Sequence, residues 1–270
     1  MYLLLPWLRI FVAVLAYIVL ALLAAAAVRR VGSDLKEMAG RTAPQMLLIG
    51  AVTNLLVLAI TLLLLLFWDR RPLQSLGLAF SSQDLDFTLI GAALIFVLAT
   101  AFVGLVNQSD RFQVQFHKSL QDSYEIANLV GTLVVLLIVA LQEEVLYRGY
   151  ITLNLLPYGP TVVIIASTLI FAAIHLLTNR GSFAQIVSWI VGGAFFAYLY
   201  LITGSIWIPV VLHFVTDVTN MVVFNIVGQY SLFSISPALT TRLRSAFRVV
   251  SALILVAILL TFYGPMIKLL

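Results

Sequence analysis

Long apolar runs separated by short polar connections make up most of this chain of 270 residues. A helix that spans a bilayer needs about 20 mostly apolar residues. Runs of roughly that length lie at 3–28, 46–68, 87–107, 126–149, 161–178, 183–203, 206–228 and 246–267. The pattern predicts an all-α, polytopic membrane protein with about eight transmembrane helices.

The amino-acid composition supports a membrane protein. Hydrophobic residues make up 63% of the chain and charged residues 10%, whereas soluble domains have about half and about a quarter. The short connections and even composition predict a single membrane domain over residues 1–270. The first run is long for a signal peptide and is followed by Arg29 and Arg30, so we expect it to remain as a transmembrane span.

The residues that the sequence lacks exclude several classes of function. The chain contains no cysteine, which excludes disulfides, thiolate metal sites and a cysteine nucleophile. Neither HExxH nor GxSxG occurs in it, so zincins and serine hydrolases with a nucleophile elbow are excluded. The net charge of +4 arises from basic residues at span ends, including Arg242, Arg244 and Arg248. This is the ordinary membrane pattern, and we expect no nucleic-acid partner.

Ionisable side chains inside the apolar runs are the strongest functional signal. Among them are Glu143, Glu144, Arg148, His175, His213 and Asp217, which include every acid and histidine in those runs. A charge at this depth is costly unless it faces a partner or a water-filled cavity. The set therefore predicts a functional site within the membrane.

Helical spacing gives the two adjacent glutamates different surroundings. Glu144 and Arg148 are four residues apart and share one helix face, whereas Glu143 points about 100° away. If Glu144 pairs with Arg148, Glu143 is left without a partner, and an unpaired carboxylate suits a general base. In the structural alternative, both glutamates neutralise Arg148 and hold helices together.

The two embedded histidines show the same four-residue spacing. His175 follows Phe171 by four residues, and Asp217 follows His213 by four, so each pair shares a helix face. Structural alternatives are hydrogen bonds across helices for His175 and a mutually satisfied pair for His213 and Asp217. A glutamate with two histidines can hold a divalent metal, or it can activate a water directly. A proton-relaying transporter would use the same residue types.

Three motifs, in order, resemble those of the CAAX protease and bacteriocin-processing (CPBP or Abi) family of intramembrane proteases. The motifs EExxxR, FxxxH and HxxxN stand here as Glu143–Arg148, Phe171–His175 and His213–Asp217. The segment Pro72–Leu78 also resembles a short element that precedes the core in that family. The resemblance covers Ile126–Phe224, and it implies a four-helix catalytic core within residues 126–228, variable helices over 1–125 and a C-terminal helix over 229–270.

The resemblance implies a membrane peptidase related to the type II CAAX prenyl endopeptidase, of either metallo- or glutamate type. Carried over to this sequence, Glu143 with His175 activates water and His213 stabilises the oxyanion. Glu144, Arg148 and Phe171 become supporting residues. A divalent metal such as zinc, held by Glu143, His175 and His213, is one alternative, and no cofactor is the other.

Asp217 departs from the family pattern, which has asparagine at this position. An ionised aspartate only accepts hydrogen bonds, whereas an asparagine amide also donates. Asp217 is therefore protonated, orients His213, or belongs to a metal shell. The departure favours the alternative function of a non-proteolytic membrane scaffold or bacteriocin-immunity protein. Under the protease hypothesis the expected partners are a protein or peptide substrate and the lipid bilayer of a bacterial or archaeal cell.

Overall fold

The computed structural model describes residues 4–32, 44–107, 123–178, 181–224 and 237–264. Within them the regular structure is helical throughout. The α-helices are α1 (Leu5–Gly32), α2 (Pro44–Leu63), α3 (Ser82–Asn107), α4 (Ser123–Glu144), α5 (Thr152–Leu155), α6 (Pro160–Thr178), α7 (Phe183–Thr203), α8 (Trp207–Val222) and α9 (Pro237–Tyr263). A π-helical segment, Leu64–Trp68, extends α2, and a second, Val145–Ile151, joins α4 to α5. Short 3₁₀ turns occupy Leu73–Leu76 and Leu156–Tyr158.

The prediction of an all-α, polytopic membrane protein is confirmed. Seven helices among the described residues are long and apolar enough to cross a membrane. The predicted span 206–228 is shorter than expected, because α8 has 16 residues. At 1.5 Å per residue it is about 24 Å long, less than the roughly 30 Å of a bilayer core. The division into 1–125, 126–228 and 229–270 stays a prediction, and residues 225–236 lie outside the described part.

Large apolar side chains remain exposed along the outer faces of the long helices. On α1, Phe11 is 60% exposed and Leu22 is 62% exposed, and on α3 Leu89 is 60% exposed. Exposed apolar surface of this extent is rare on soluble monomers, whereas lipid tails solvate it without cost. These faces are therefore expected to contact the lipid bilayer.

The buried apolar residues form two clusters. The first joins side chains of α1, α2, the segment Val145–Ile151 and α6. The second joins side chains of α3 and α9. Helices α7 and α8 contribute residues to both clusters, since Trp189 and Val210 belong to the first and Phe195 and Leu212 to the second. Thus α7 and α8 lie at the junction of the two apolar cores.

The segment Pro72–Leu78 fastens the turn between α7 and α8. The backbone N–H of Ile206 donates to the carbonyl of Gly77 over 2.9 Å. The indole of Trp207 donates to the carbonyl of Leu78 over 3.0 Å. Gly77 has φ 73°, and a β-carbon there would lie 2.0 Å from the carbonyl oxygen of Gly204. Only glycine fits this contact, which fixes where α8 begins.

Buried charge also occurs away from the predicted site. Arg9 of α1 pairs with Asp69 over 3.0 Å, and the Asp69 side chain has no exposed surface. The amide of Asn154 donates to the other Asp69 oxygen over 2.8 Å. Asp84 is a second buried acid, hydrogen-bonded to the Tyr263 hydroxyl. These acids lie near span ends, where the apolar runs did not include them, and each has partners that account for its burial.

We expect the substitution Gly77→Ala to destabilise the fold by about 2 kcal/mol or more, because alanine is strained at positive φ and its β-carbon would collide with backbone. Thermal unfolding in detergent, followed by tryptophan fluorescence, measures the loss as a lower Tm. The control is Gly104→Ala in α3, where nothing lies within 4 Å of an added β-carbon. That variant should keep or slightly raise the Tm, and an unchanged Tm for Gly77→Ala would contradict the packing role.

Candidate active site

A cavity of about 240 Å³ lies where the two apolar clusters meet. Its walls come from α3, α4, α6, α7, α8 and α9. The polar side chains that line it are Glu143, His175, Ser188, His213, Thr216, Asp217, Arg248 and Ser251. The structure thus brings the predicted catalytic set of Glu143, His175, His213 and Asp217 to one cavity, although the set comes from three helices.

Glu144 lies behind the cavity wall, without exposed surface. Its Oε1 accepts a hydrogen bond from Arg148 over 3.1 Å, as their four-residue spacing predicts. The same oxygen lies 2.7 Å from Nδ1 of His213. Because a carboxylate only accepts, this contact places a proton on Nδ1. Glu144 therefore joins α4 to α8 and sets the orientation of the His213 ring.

Arg148 ties the same carboxylate to α6 and α7. Its guanidinium donates to the carbonyl of Gly193 over 3.4 Å. The guanidinium carbon lies 4.9 Å from the ring centre of Phe171 and 5.3 Å from that of Phe196. A β-carbon at Gly193 would lie 3.3 Å from the Phe171 ring, so glycine permits this close approach. Aromatic faces and the Glu144 charge together stabilise the buried cation.

Glu143 lines the cavity from the adjacent position of α4. Its Oε2 is buried and receives no hydrogen bond from the described residues. The same oxygen lies 3.9 Å from Nε2 of His213, an ion pair when that ring is protonated. This placement matches the division of the two glutamates that helical spacing predicts, with Glu144 paired and Glu143 available to a bound molecule.

His213 has a carboxylate near each ring nitrogen. Nδ1 faces Glu144, while Nε2 lies 3.5 Å from Oδ2 of Asp217 and faces Glu143 at the longer distance. The ring of Phe196 stacks on the imidazole, with centroids 5.6 Å apart and an interplanar angle of 21°. Of the three alternatives for Asp217, contact with Nε2 favours a role in orienting His213.

His175 is held by groups of α6 and α7. Its Nδ1 lies 3.0 Å from the carbonyl oxygen of Phe171. A carbonyl only accepts, so this hydrogen bond places the proton of a neutral ring on Nδ1 and the lone pair on Nε2. The imidazole packs between the rings of Phe171 and Trp189, at centroid distances of 4.2 and 5.3 Å.

The donor set does not fit a metal ion in this arrangement. No group of three His, Cys, Asp or Glu side chains in the described part of the chain is arranged to hold one. The proposed ligands Glu143, His175 and His213 share the cavity without forming such a group. One nitrogen of His213 is also engaged by Glu144 at 2.7 Å.

Arg248 is the cavity residue that the sequence interpretation missed. It lines the cavity from α9, outside the region of motif resemblance, together with Asp217 and Glu143. From the sequence it was grouped with Arg242 and Arg244 as a span-end charge. The sequence feature that could have identified Arg248 is its position inside the apolar run 246–267, where an arginine is as unusual as an acid.

Comparison with known proteins agrees with the motifs. Residues 125–219 match the family model described as type II CAAX prenyl endopeptidase Rce1-like. The matched region contains Glu143, His175, His213 and Asp217, and it ends before Arg248. No curated protein and no solved structure gives a significant match to the chain. The motif resemblance is therefore confirmed at the level of the family.

We expect Glu144→Gln to lower the free energy of unfolding by about 3 kcal/mol or more, because it removes the counter-charge of a buried arginine while preserving side-chain shape. Chemical or thermal unfolding of the purified protein in detergent measures the change.

The matched control is Asp86→Asn, which also converts a carboxylate to an amide but at an exposed position of α3. Its effect should stay within about 0.5 kcal/mol. Equal stability of the Glu144 and Asp86 variants would show that the Arg148–Glu144–His213 contacts do not support the fold.

Proposed function

We propose that this chain is an intramembrane endopeptidase that hydrolyses a peptide bond with a water activated by Glu143 and His175. One observation carries the proposal: Glu143, His175, His213 and Asp217 line a single cavity within the apolar helices. At the level of the family, the Rce1-like match supports a CAAX-protease-like peptidase. The assignment of individual roles rests on the contacts of each side chain.

Glu143 is the proposed general base. Its cavity-lining carboxylate receives no hydrogen bond from the described residues at Oε2, so this oxygen can accept a proton from water. His175 accepts a second hydrogen bond from the same water through Nε2, since Nδ1 faces the Phe171 carbonyl. The water oxygen attacks the peptide carbonyl carbon, the C=O bond becomes a C–O⁻ single bond, and the released proton passes to Glu143.

His213, with both ring nitrogens protonated, is the proposed donor to the oxyanion that forms in this step. Glu144 holds Nδ1, which turns Nε2 toward the cavity side where Asp217 and Glu143 lie. When the intermediate collapses, the C–N bond breaks and the proton on Glu143 passes to the leaving nitrogen. The products are a carboxylic acid and an amine, and Glu143 returns to its starting state.

Glu144, Arg148 and Phe171 are proposed to position these groups. Arg148 neutralises Glu144, and Phe171 contacts both the guanidinium and the His175 ring. Asp217 is proposed to keep the His213 ring in place through Nε2. This assignment makes the aspartate an orienting group, as its 3.5 Å contact suggests.

The proposed substrate is a membrane-bound protein or peptide. Much of the cavity wall is apolar, including Ile95, Val139, Phe195 and Leu255, so we expect apolar side chains beside the scissile bond. A bacterial or archaeal cell membrane is the proposed location. If the chain is instead a scaffold or immunity protein, the intact protein will cleave no peptide.

We expect Glu143→Gln and Glu143→Ala to abolish cleavage, because both remove the base that takes the proton from water. The measurement uses protein in proteoliposomes and a library of quenched fluorogenic peptides, with and without a C-terminal lipid group. Asp86→Asn is the control and should cleave like the unsubstituted protein. Cleavage retained by both Glu143 variants, in protein of unchanged Tm, would remove Glu143 from the mechanism.

We also expect cleavage to survive exhaustive treatment with EDTA and 1,10-phenanthroline, because the cavity residues do not form a metal-ligating group. Elemental analysis of the treated protein should detect no stoichiometric zinc or other transition metal. Activity that is lost on chelation and regained on addition of zinc would establish a metalloprotease instead.

A further inference from the structure

Hydrogen-bond donors for an oxyanion are scarce on the cavity wall. The hydroxyls of Ser188, Thr216 and Ser251 donate to backbone carbonyls of their own helices, at 2.8, 2.7 and 3.1 Å. Each hydroxyl has one proton, so these three donors are already engaged. Glu143 and Asp217, when ionised, only accept hydrogen bonds.

The imidazole of His213 is also only partly available. Its Nδ1 is directed at Glu144, and its Nε2 is placed between two carboxylates, 3.5 Å from Asp217 and 3.9 Å from Glu143. An oxyanion at Nε2 would therefore have to compete with those carboxylates for the same proton. A second donor with its own positive charge would remove this competition.

Arg248 meets that requirement. A guanidinium stays protonated and carries five N–H donors, and Arg248 lines the cavity. Its Nε is buried and donates to no group among the described residues. The Trp189 indole also lines the cavity, but it is a neutral donor, and hydrogen bonds from charged donors are roughly twice as strong.

Asp217 and Arg248 also complement each other. Arg248 lines the same cavity as the two acids Asp217 and Glu143, so its positive charge offsets part of their negative charge. Arg244, one turn earlier on α9, adds a further positive charge near Asp217. The two arginines and the two ionised acids sum to no net charge. When Glu143 takes the proton from water in the proposed step, the group gains one net positive charge, which balances the charge of the oxyanion.

We infer that Arg248, which lines the same cavity as Asp217, stabilises the oxyanion of the tetrahedral intermediate. This inference rests on the proposed peptidase function and adds to it a catalytic residue from α9. It also accounts for the aspartate in the HxxxN motif. An asparagine amide supplies both a hydrogen-bond acceptor and a hydrogen-bond donor. In this protein Asp217 would supply the acceptor and Arg248 the donor.

The test compares Arg248→Gln, Arg248→Lys and the control Arg242→Gln in the proteoliposome cleavage assay. Arg242 lies exposed on the same helix and outside the cavity. We expect Arg248→Gln to lower kcat about 100- to 1000-fold, the usual loss for one oxyanion donor, with little change in KM. Arg248→Lys should regain at least about tenfold of kcat, because lysine keeps a charged donor.

A kcat of Arg248→Gln equal to that of Arg242→Gln would overturn the inference, as would a change confined to KM or a loss that lysine does not improve. If Arg248→Gln yields no folded protein, the test uses Arg248→Lys alone. An Arg248→Lys variant with an unchanged kcat and a raised KM would then overturn the assignment. These outcomes leave the proposed function standing. A wild-type protein that cleaves no library peptide overturns the proposed function and this inference with it.

Discussion

One carboxylate oxygen holds the candidate site together. Oε1 of Glu144 is 3.1 Å from Arg148 and 2.7 Å from His213, and the side chain is fully buried. In a low-dielectric interior each of these charged or polar groups would be costly alone, and their mutual contacts offset part of that cost. The other parts of the site depend on this contact, because it decides which nitrogen of His213 is left to face Asp217 and Glu143.

Around this contact, the packing of apolar helices determines which polar side chains face the same cavity. Helices α7 and α8 contribute to both buried clusters, and the cavity lies between those clusters. The Pro72–Leu78 segment fixes the turn that joins α7 to α8. A segment distant in sequence from the site thereby sets the position from which α8 presents His213 and Asp217.

Helical spacing was sufficient for the local parts of the site. Glu144 with Arg148, Phe171 with His175, and His213 with Asp217 are each four residues apart, and each pair is in contact. The sequence could not predict the bond between Glu144 and His213, which are 69 positions apart. It also grouped Arg248 with surface charges, because a charge near a span end has the same local pattern whether it faces water or a cavity.

By itself, the amino-acid sequence determined the membrane character, the approximate spans and the pairing of Glu144 with Arg148, since hydrophobicity and the helical repeat act over a few turns. Tertiary structure alone decided that α8 is short, that Asp69 and Asp84 are buried, and that α3 and α9 complete the cavity. Those properties depend on which helix faces pack together. The free energy of that packing is summed over residues far apart in the chain, which no local pattern records.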